Sequence, residues 1–324
     1  MKIIHRGTVY PMSIQGRNCH ASHCLPLPDG SVLYVWFEGT RESAPDVCIF
    51  SACCSPAGVW SAPQRITEDN GVPHWNPVLF RRDNGDVLLY YKEGVTIPKW
   101  RTMLMISRDG GQTFSAPREL VPGNEGGRGP VRNKIIRLSD GTYAAPASNE
   151  DGEWTAFIDL TADGETYQSC ERLRIFDGVA RAKRGVIQPT LWESMPGHVH
   201  ALLRSSEGFV YRSDSPDCGR TWSVPYPTAL PNNNSGIDLE RLDDGRLVLA
   251  CNPVGENWGE RNPLSLLISE DNGATWQHML DLAHEPGKHE FSYPCIVRCG
   301  SRLHVTYTSD RVNIAYLCIE TEGE

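Results

Sequence analysis

The octapeptide SRDGGQTF at residues 107–114 returns as SPDCGRTW at 215–222 and as SEDNGATW at 269–276. The first residues of the three copies are 108 and 54 positions apart, so the spacing predicts a 54-residue structural unit. Six such units equal the full length of 324 residues. A period of this size is typical of circular repeat proteins. It favours one closed domain over residues 1–324, with the functional site where the units meet.

A second marker recurs once in each unit. A turn glycine precedes a run of alternating apolar residues at Gly30, Gly85, Gly141, Gly197, Gly245 and Gly300. A turn of this kind followed by such alternation is a strong β-hairpin signal. Four strands of five to six residues with their turns fill roughly 50 residues, which is the size of a propeller blade. The pattern therefore predicts an all-β fold, a six-bladed β-propeller.

The chain ends predict how such a ring closes. Residues 3–10 are expected to form a strand beside 312–319 in the last blade, because this pairing removes an exposed sheet edge. The octapeptides are expected to serve folding. Their serine and aspartate can accept backbone N–H bonds, their glycine takes a positive φ angle, and the aromatic residue fills the seam between sheets.

Composition narrows the classes of function. A net charge of −9 disfavours non-specific binding to nucleic acid or to an anionic membrane surface. No apolar run reaches the roughly 18 residues of a membrane span. The first residues lack a signal-peptide pattern, and the eleven cysteines lack small-domain disulfide spacing. Both features indicate a cytoplasmic protein, while the periodicity leaves the oligomeric state undetermined.

At its octapeptides the sequence resembles the sialidase (neuraminidase) superfamily, and more closely the bacterial neuraminidase-like proteins with BNR repeats, or Asp boxes. The resemblance covers all six units. It implies an exo-glycosidase that hydrolyses a terminal anionic sugar, sialic-acid-like or uronic, from a glycan. In that superfamily three arginines clamp the sugar carboxylate, a tyrosine supported by a glutamate attacks the anomeric carbon, and a loop aspartate is the acid/base.

Several of these residues have counterparts in this chain. The resemblance matches two clamp arginines to Arg204 in LLRSS and Arg261 in ERNPLSL. It matches the nucleophile to Tyr293 in FSYP, and the acid/base to Asp46, which follows the EGTR segment at 38–41. The resemblance thus implies a carbohydrate substrate gripped by arginines and attacked by a tyrosine.

Two positions depart from the family pattern. His20, in the triplet His-Ala-Ser, replaces the first clamp arginine, and Gln188 replaces the supporting glutamate. Glu290, three residues before Tyr293, is the candidate replacement for the base. The candidate replacements for the missing arginine are Arg41, Arg132 and Arg311.

Polar residues of different types precede the inner strands of the six units: His20, Asn76, Asn133, Gln188, Ser235 or Asp238, and Tyr293. A lectin with one site per blade should repeat the same residue, whereas a single asymmetric pocket needs a different group from each side. The pattern therefore predicts one central site. Trp75 and Trp258, beside ring-entry and arginine-bearing segments, are candidate stacking surfaces for a sugar.

The residue types fit carboxylate chemistry. Arginine recognises a carboxylate through two parallel hydrogen bonds, and nearby arginines would lower the ordinary tyrosine pKa of about 10. Asp46 would need a pKa raised by partial burial to donate a proton. His20 and His23 face opposite sides of an extended strand, so neither a metal nor another cofactor is expected. His20 is a pocket donor, or a base if the reaction is an elimination.

Three hypotheses remain open at this stage. The first is the sialidase-like hydrolase with Tyr293, Asp46, Arg204 and Arg261. The second is a polysaccharide lyase or glycosidase acting on uronate-linked or rhamnosyl-linked sugars, with His20 as base. The third is a propeller that binds sugar without turnover.

Overall fold

The structure, a computed structural model, describes residues 1–9, 17–169, 171–176 and 181–321. These residues form 24 strands in six four-stranded antiparallel sheets. In five of the six sheets the first strand contacts the first strand of a neighbouring sheet, which places these strands around a common centre. The six-bladed β-propeller predicted from the repeat is confirmed. Within the described ranges the only helical element is a short 3-10 turn, Ile97–Lys99, and none of their helices is long and apolar enough to cross a membrane.

The strands follow the chain from blade to blade, and the first strand, β1 (Lys2–Thr8), belongs to blade 6. Blade 1 contains β2 (Asn18–Pro26), β3 (Val32–Gly39), β4 (Cys48–Cys54) and β5 (Gln64–Arg65). Blade 2 contains β6 (His74–Arg81), β7 (Val87–Glu93), β8 (Arg101–Ser107) and β9 (Arg118–Glu119). Blade 3 contains β10 (Ile136–Arg137), β11 (Tyr143–Asn149), β12 (Thr155–Thr161) and β13 (Gln168–Ser169).

The second half of the ring continues in the same order. Blade 4 contains β14 (Val186–Met195), β15 (His198–Ser205), β16 (Phe209–Ser215) and β17 (Tyr226–Pro231). Blade 5 contains β18 (Asp238–Arg241), β19 (Leu247–Cys251), β20 (Leu264–Ser269) and β21 (Gln277–Ala283). Blade 6 contains β22 (Phe291–Cys299), β23 (Arg302–Ser309), β24 (Asn313–Glu320) and β1.

The ring closes as the sequence predicted. β1 pairs antiparallel with β24, from Lys2 opposite Glu320 to Thr8 opposite Ala315. Tyr10, the last residue of the expected pairing segment, lies outside the described residues. Because β1 covers β24, the backbone N–H and C=O groups of that strand are paired within the protein instead of forming an open sheet edge.

Apolar side chains fill the space between neighbouring blades. β3 shows why: all of its residues are buried, and their side chains alternate between the two adjoining blades. Leu33 and Phe37 belong to the cluster shared with blade 2, whereas Tyr34 and Trp36 belong to the cluster shared with blade 6. Burying a side chain of this size stabilises the fold by about 1.5–3 kcal/mol. A continuous apolar run is therefore required where a strand is covered on both faces.

Each Asp box is a hydrogen-bonded turn. In the box at 107–114, the Ser107 hydroxyl accepts the Gly111 N–H at 2.8 Å and donates to Asp109 at 2.7 Å. Asp109 also accepts the Thr113 N–H at 2.9 Å. The same bonds occur in the boxes that begin at Ser215 and Ser269. The boxes therefore hold turns, in agreement with the predicted role in folding.

A fourth turn of this type was missed in the sequence. In the segment from Thr161 to Tyr167, the Gly164 N–H donates to Thr161 Oγ1 at 2.9 Å. Asp163 accepts the N–H of Thr166 at 2.8 Å and its hydroxyl at 2.7 Å. This version is one residue shorter than the octapeptide, so an eight-residue pattern does not find it.

Candidate active site

Tyr293 lies at a backbone irregularity that recurs in four of the described inner strands. The ladder register shifts near the same place in β2, β6, β14 and β22. One residue at each shift has a positive φ angle: Ala21 (52°), Asn76 (44°), Gln188 (50°) and Tyr293 (54°). Non-glycine residues rarely adopt this region, so four matched cases indicate a built feature. In blade 1 this position belongs to Ala21, and the predicted ring residue His20 lies one position before it.

Arg204, on β15, holds the hydroxyl group of Tyr293. Its Nη1 donates to the Tyr293 hydroxyl oxygen at 2.7 Å and to Gln188 Oε1 at 3.0 Å. Its Nε donates to Asn234 Oδ1 at 2.9 Å, and the residue is only 3% exposed. Charge-assisted hydrogen bonds of this kind are stronger than neutral ones. The guanidinium therefore fixes the phenol and supplies a cationic donor to its oxygen.

One carboxylate joins two further arginines. Glu290 Oε1 accepts a hydrogen bond from Arg261 Nη1 at 2.7 Å, and Oε2 accepts one from Arg311 Nε at 3.0 Å. Ser292 Oγ also donates to Oε1, at 2.8 Å. Burial alone would raise the pKa of Glu290, but the two arginines outweigh it and hold the pKa below its ordinary value. Glu290 is thus an ionised anchor for the arginines, whereas the sequence predicted it as the base supporting Tyr293.

Arg132 packs against both the backbone and the ring of Tyr293. Its Nη2 donates to the carbonyl oxygens of Tyr293 and Pro294, the latter at 3.0 Å. The residue is 1% exposed, and its Nε and Nη1 have no hydrogen-bond partner among the described residues. Burial lowers the pKa of Arg132. Because Nη2 is committed to two backbone carbonyl oxygens, Arg132 positions the tyrosine, whereas the sequence hypothesis offered it as a replacement for the missing clamp arginine.

The imidazole ring of His20 packs against the ring of Tyr293. The two ring centroids are 4.3 Å apart, and His20 Nδ1 is hydrogen-bonded to Thr308 Oγ1 at 2.8 Å. His20 is 1% exposed, and its Nε2 has no hydrogen-bond partner among the described residues. Burial, followed by the charges of Arg311 and Arg261, lowers the pKa of His20 well below its ordinary value. The imidazole is therefore neutral at pH 7.

These residues make a local cationic cluster in a protein of net charge −9. The guanidinium carbons of Arg132, Arg204 and Arg261 lie 5.3, 5.7 and 5.5 Å from the centre of the Tyr293 ring. Arg311 adds a fourth guanidinium through Glu290. Arg261 and Arg311 keep 16% and 22% of their side chains exposed, so they form the accessible part of the cluster. Such an arrangement attracts anionic ligands.

The described hydrogen bonds of Asp46 and Arg41 go to residues outside this cluster. The Asp46 carboxylate accepts the Thr40 hydroxyl at 2.7 Å and faces Arg17 Nη1 at 3.4 Å. Burial would raise the pKa of Asp46, but the Thr40 hydrogen bonds and Arg17 outweigh it and lower the pKa. The raised pKa that proton donation by Asp46 would require is therefore not found. Arg41 is exposed on the same loop, where its carbonyl oxygen accepts the Ala44 N–H.

Trp75 does not offer a stacking surface. It is 3% exposed, its ring centroid lies 6.1 Å from both Phe37 and Trp100, and its Nε1 donates to the Gly94 carbonyl oxygen at 3.0 Å. The sequence hypothesis is corrected on this point, because the ring is enclosed in the core. Asn76, the next residue, is also buried.

Two features beside Arg204 complete the site. Trp154 and Trp258 lie near its guanidinium carbon, with ring centres at 6.0 and 5.9 Å, and Trp258 is 60% exposed. Glu150, which follows β11, was missed in the sequence because no motif marks it. Its Oε1 is buried with no partner among the described residues, and burial raises its pKa while Arg204 and Gln188 oppose the rise.

A cleft between blades 1 and 2 is a weaker candidate for the functional site than this cluster. It has a volume of about 420 Å³ and lies between blades 1 and 2, against residues such as Leu27, Ser51 and Thr113. Its described lining contains no arginine, histidine or tyrosine. It therefore lacks the groups that recognise a carboxylate.

A family profile agrees with this architecture. The profile described as BNR repeat-like domain matches residues 30–305, most of the chain. The chain belongs to the BNR repeat-like domain family. No curated protein sequence matches it.

Solved structures share the fold of this BNR repeat-like protein. A protein of unknown function from Dyadobacter fermentans superposes with a TM-score of 0.79 at 16% identity, covering 99% of each chain. The K499G mutant of NanB sialidase from Streptococcus pneumoniae gives 0.75 at 10% identity, with 98% of this chain matched to 70% of the other. Trypanosoma rangeli sialidase in complex with the inhibitor DANA gives 0.72 at 13% identity, with 93% matched to 55%. At these identities the likeness is one of fold, a sialidase-like propeller.

Proposed function

We propose that this protein cleaves the glycosidic bond of a sugar that carries a carboxylate. The observation that carries the proposal is the 2.7 Å hydrogen bond from Arg204 Nη1 to the Tyr293 hydroxyl, inside a cluster of guanidinium groups. A phenol held by a cationic donor is prepared to bear negative charge. The similarity to sialidase propellers supports the same chemistry by analogy.

The N–H groups that Arg204 and Arg261 do not use within the protein give the substrate class. Arg261 makes one described side-chain bond, to Glu290, and its side chain is partly exposed. Arg204 uses Nη1 and Nε within the protein. A sugar carboxylate is therefore expected to be held by the remaining N–H groups of both residues, in the planar geometry that arginine recognises best.

In the hydrolytic reaction Tyr293 is the nucleophile. Its hydroxyl gives its proton to solvent as the oxygen bonds to the anomeric carbon, the bond from that carbon to the leaving oxygen breaks, and the leaving oxygen takes a proton from a carboxylic acid. Water then attacks the same carbon and gives one proton to the carboxylate. The bond to the Tyr293 oxygen breaks, the free sugar is released, and the phenolate takes a proton back from solvent. An uncharged phenol suits a substrate whose carboxylate adjoins the reacting carbon, because a carboxylate nucleophile would be repelled.

The acid must hold its proton near neutral pH. Asp46, the residue expected from the sequence, does not match this requirement because its pKa is lowered. Among the described carboxyl groups, burial raises the pKa of Glu150 and Glu240, and Glu240 is paired with Lys134. Glu150, beside Gln188 and Arg204, is therefore the better-matched proton donor.

One observation favours a second reaction, β-elimination from a uronate. His20 is neutral, and its Nε2 is unpartnered among the described residues at a ring 4.3 Å from Tyr293. His20 Nε2 would remove the proton from the carbon next to the carboxylate, and that electron pair would form a C=C bond. The bond to the leaving oxygen would break, and the Tyr293 hydroxyl would protonate that oxygen. The arginines would stabilise the carbanion-like charge on the carboxylate.

The test is turnover on a panel of aryl sialosides, aryl uronides and polyuronates, by wild type and by Tyr293→Phe. Removal of the nucleophile is expected to lower kcat on the order of 10³-fold or more. Tyr226→Phe is the matched control, since that tyrosine is surface-exposed and its hydroxyl bonds Asp214. Full activity of Tyr293→Phe, or sugar binding without turnover by wild type, would refute the proposal.

The same panel separates the two reactions. Hydrolysis releases a saturated reducing sugar, whereas elimination releases an unsaturated uronate that absorbs in the near ultraviolet. His20→Gln is expected to abolish the absorbing product if elimination is correct. Retention of that product would exclude His20 as the base.

A further inference from the structure

The turn between β23 and β24 carries residues that do not suit its backbone. The Val312 N–H donates to the Ser309 carbonyl oxygen at 3.1 Å, which closes a four-residue turn. Its two central residues, Asp310 and Arg311, have φ angles of 51° and 58°. Turns with positive φ at both central positions strongly prefer Asn-Gly or Asp-Gly. An arginine at the second position is strained, because its Cβ crowds the backbone in this region.

The strained turn is held from two sides. The Cys19 N–H, next to His20, donates to the Arg311 carbonyl oxygen at 2.9 Å. The Asp310 N–H donates to the Glu290 carbonyl oxygen at 2.7 Å, and the Glu290 N–H donates to Asp310 Oδ1 at 2.8 Å. The turn is thereby docked against the residues that flank Tyr293.

The side chain of Arg311 is also positioned by two carboxylates. Its Nε donates to Glu290 Oε2 at 3.0 Å, and its Nη1 donates to Glu42. Glu290 holds Arg261 with its other oxygen, so one carboxylate sets two guanidiniums side by side. Burial opposes the charge on Arg311, but Glu42 and Glu290 outweigh it and raise the pKa of this residue. The guanidinium stays charged, with 22% of its side chain exposed.

We infer that Arg311 is a carboxylate-binding residue of this site, which blade 6 supplies beside Arg261 through their shared partner Glu290. The inference rests on the proposed function, because it assigns a contact to the same anionic sugar. It explains why a turn suited to Asn-Gly keeps an arginine.

The other candidate arginines do not fit this role. Arg132 is sealed from solvent and bonds two backbone carbonyl oxygens. Arg41 is exposed on the neighbouring loop. Of the three arginines weighed from the sequence, only Arg311 is tied to Glu290 and partly open.

The test measures binding of two acid and ester pairs, N-acetylneuraminic acid and D-glucuronic acid, each beside its methyl ester. The proteins are wild type, Arg311→Asn, Arg311→Lys and the control Arg302→Asn. Asparagine tolerates the left-handed backbone, so the variant should fold without added strain. Arg302 is exposed at the far end of β23. Its replacement by asparagine removes one positive charge from the same hairpin, as Arg311→Asn does.

Arg311→Asn is expected to weaken binding of at least one acid by roughly 10- to 100-fold, the loss of a charge-assisted pair, and to leave binding of its ester unchanged. Arg311→Lys should fall between, and Arg302→Asn should match wild type. Equal losses for acid and ester would mean that Arg311 is only structural, and unchanged acid binding would overturn the inference directly. If wild type binds neither acid, the proposed function fails and the inference fails with it.

Discussion

Exchange of Glu290 for glutamine tests the charge balance of the site most directly. The substitution keeps the size of the side chain and removes the negative charge that faces Arg261 and Arg311 at 2.7 and 3.0 Å. It also turns one acceptor into a donor that points at a guanidinium. The variant is therefore expected to fold, with the positive charges of Arg261 and Arg311 less well compensated.

The magnitude follows from the contacts. Breaking a buried ion pair costs about 3–5 kcal/mol. Glu290 keeps 28% of its side chain exposed and glutamine retains one acceptor, so a loss of about 2 kcal/mol is expected. With an unfolding entropy of roughly 2.1 cal/mol/K per residue, this loss lowers the Tm by about 3 °C.

The lowered pKa of Glu290 also predicts how its contribution to stability changes with pH. The folded-state pKa of Glu290 lies below its ordinary value of 4.5, so its stabilising effect is fully present above about pH 4.5. It is lost as pH falls through the folded pKa, where the wild type also becomes neutral at this position. The difference in Tm between wild type and Glu290→Gln should thus narrow between pH 7 and pH 3.5, as measured by differential scanning fluorimetry.

Asp83→Asn is the surface control. Asp83 pairs with Arg137 at 3.1 Å, their side chains are 63% and 60% exposed, and a surface pair contributes little. The control should shift the Tm by less than about 1 °C. A shift of the same size in both variants, or a Glu290→Gln difference that persists unchanged at pH 3.5, would refute the anchoring role.

Two further predictions concern stability. Lys92 is fully buried, and burial lowers its pKa to about 7. Between about pH 7 and 10.5 the unfolded chain therefore binds one more proton than the folded protein, so wild-type stability rises with pH in that range. Lys92→Met should gain most in Tm relative to wild type at pH 6, and a gain that stays constant up to pH 9 would contradict this. Asp163→Ala should destabilise by about 1–2 kcal/mol because four hydrogen bonds in the turn at 161–167 are lost. Chemical unfolding beside the exposed loop control Asp151→Ala measures it, and equal midpoints would exclude this segment as a stabilising turn.

The fold was predictable because its determinants repeat. Each blade needs the same turns and the same apolar alternation, so the signal appears several times in one chain. The segment at Thr161 escaped notice since one missing residue breaks the eight-residue spacing while every hydrogen bond of the turn survives. The turn is defined by the atoms that form its hydrogen bonds, and the number of residues between those atoms can vary.

The site was predictable in part. Arg204, Arg261 and Tyr293 were identified through the resemblance, and the structure brings these three side chains together. Their roles stay predictions. Trp75 could not be placed, because an aromatic residue at a strand start looks the same in sequence whether its ring enters the channel or the core. The pKa shifts of Glu150 and Asp46 were beyond reach for a related reason: the burial that raises the pKa of Glu150, and the Thr40 and Arg17 contacts that lower the pKa of Asp46, arise only in the folded protein.

The matched bulges in β2, β6, β14 and β22 have a consequence for substitution at these positions. Alanine, asparagine, glutamine and tyrosine occupy the same left-handed conformation in the four strands. The kink is therefore a property of the blade scaffold and tolerates very different side chains. A substitution at one of these four positions therefore changes the side chain that the inner strand presents there without remodelling a loop.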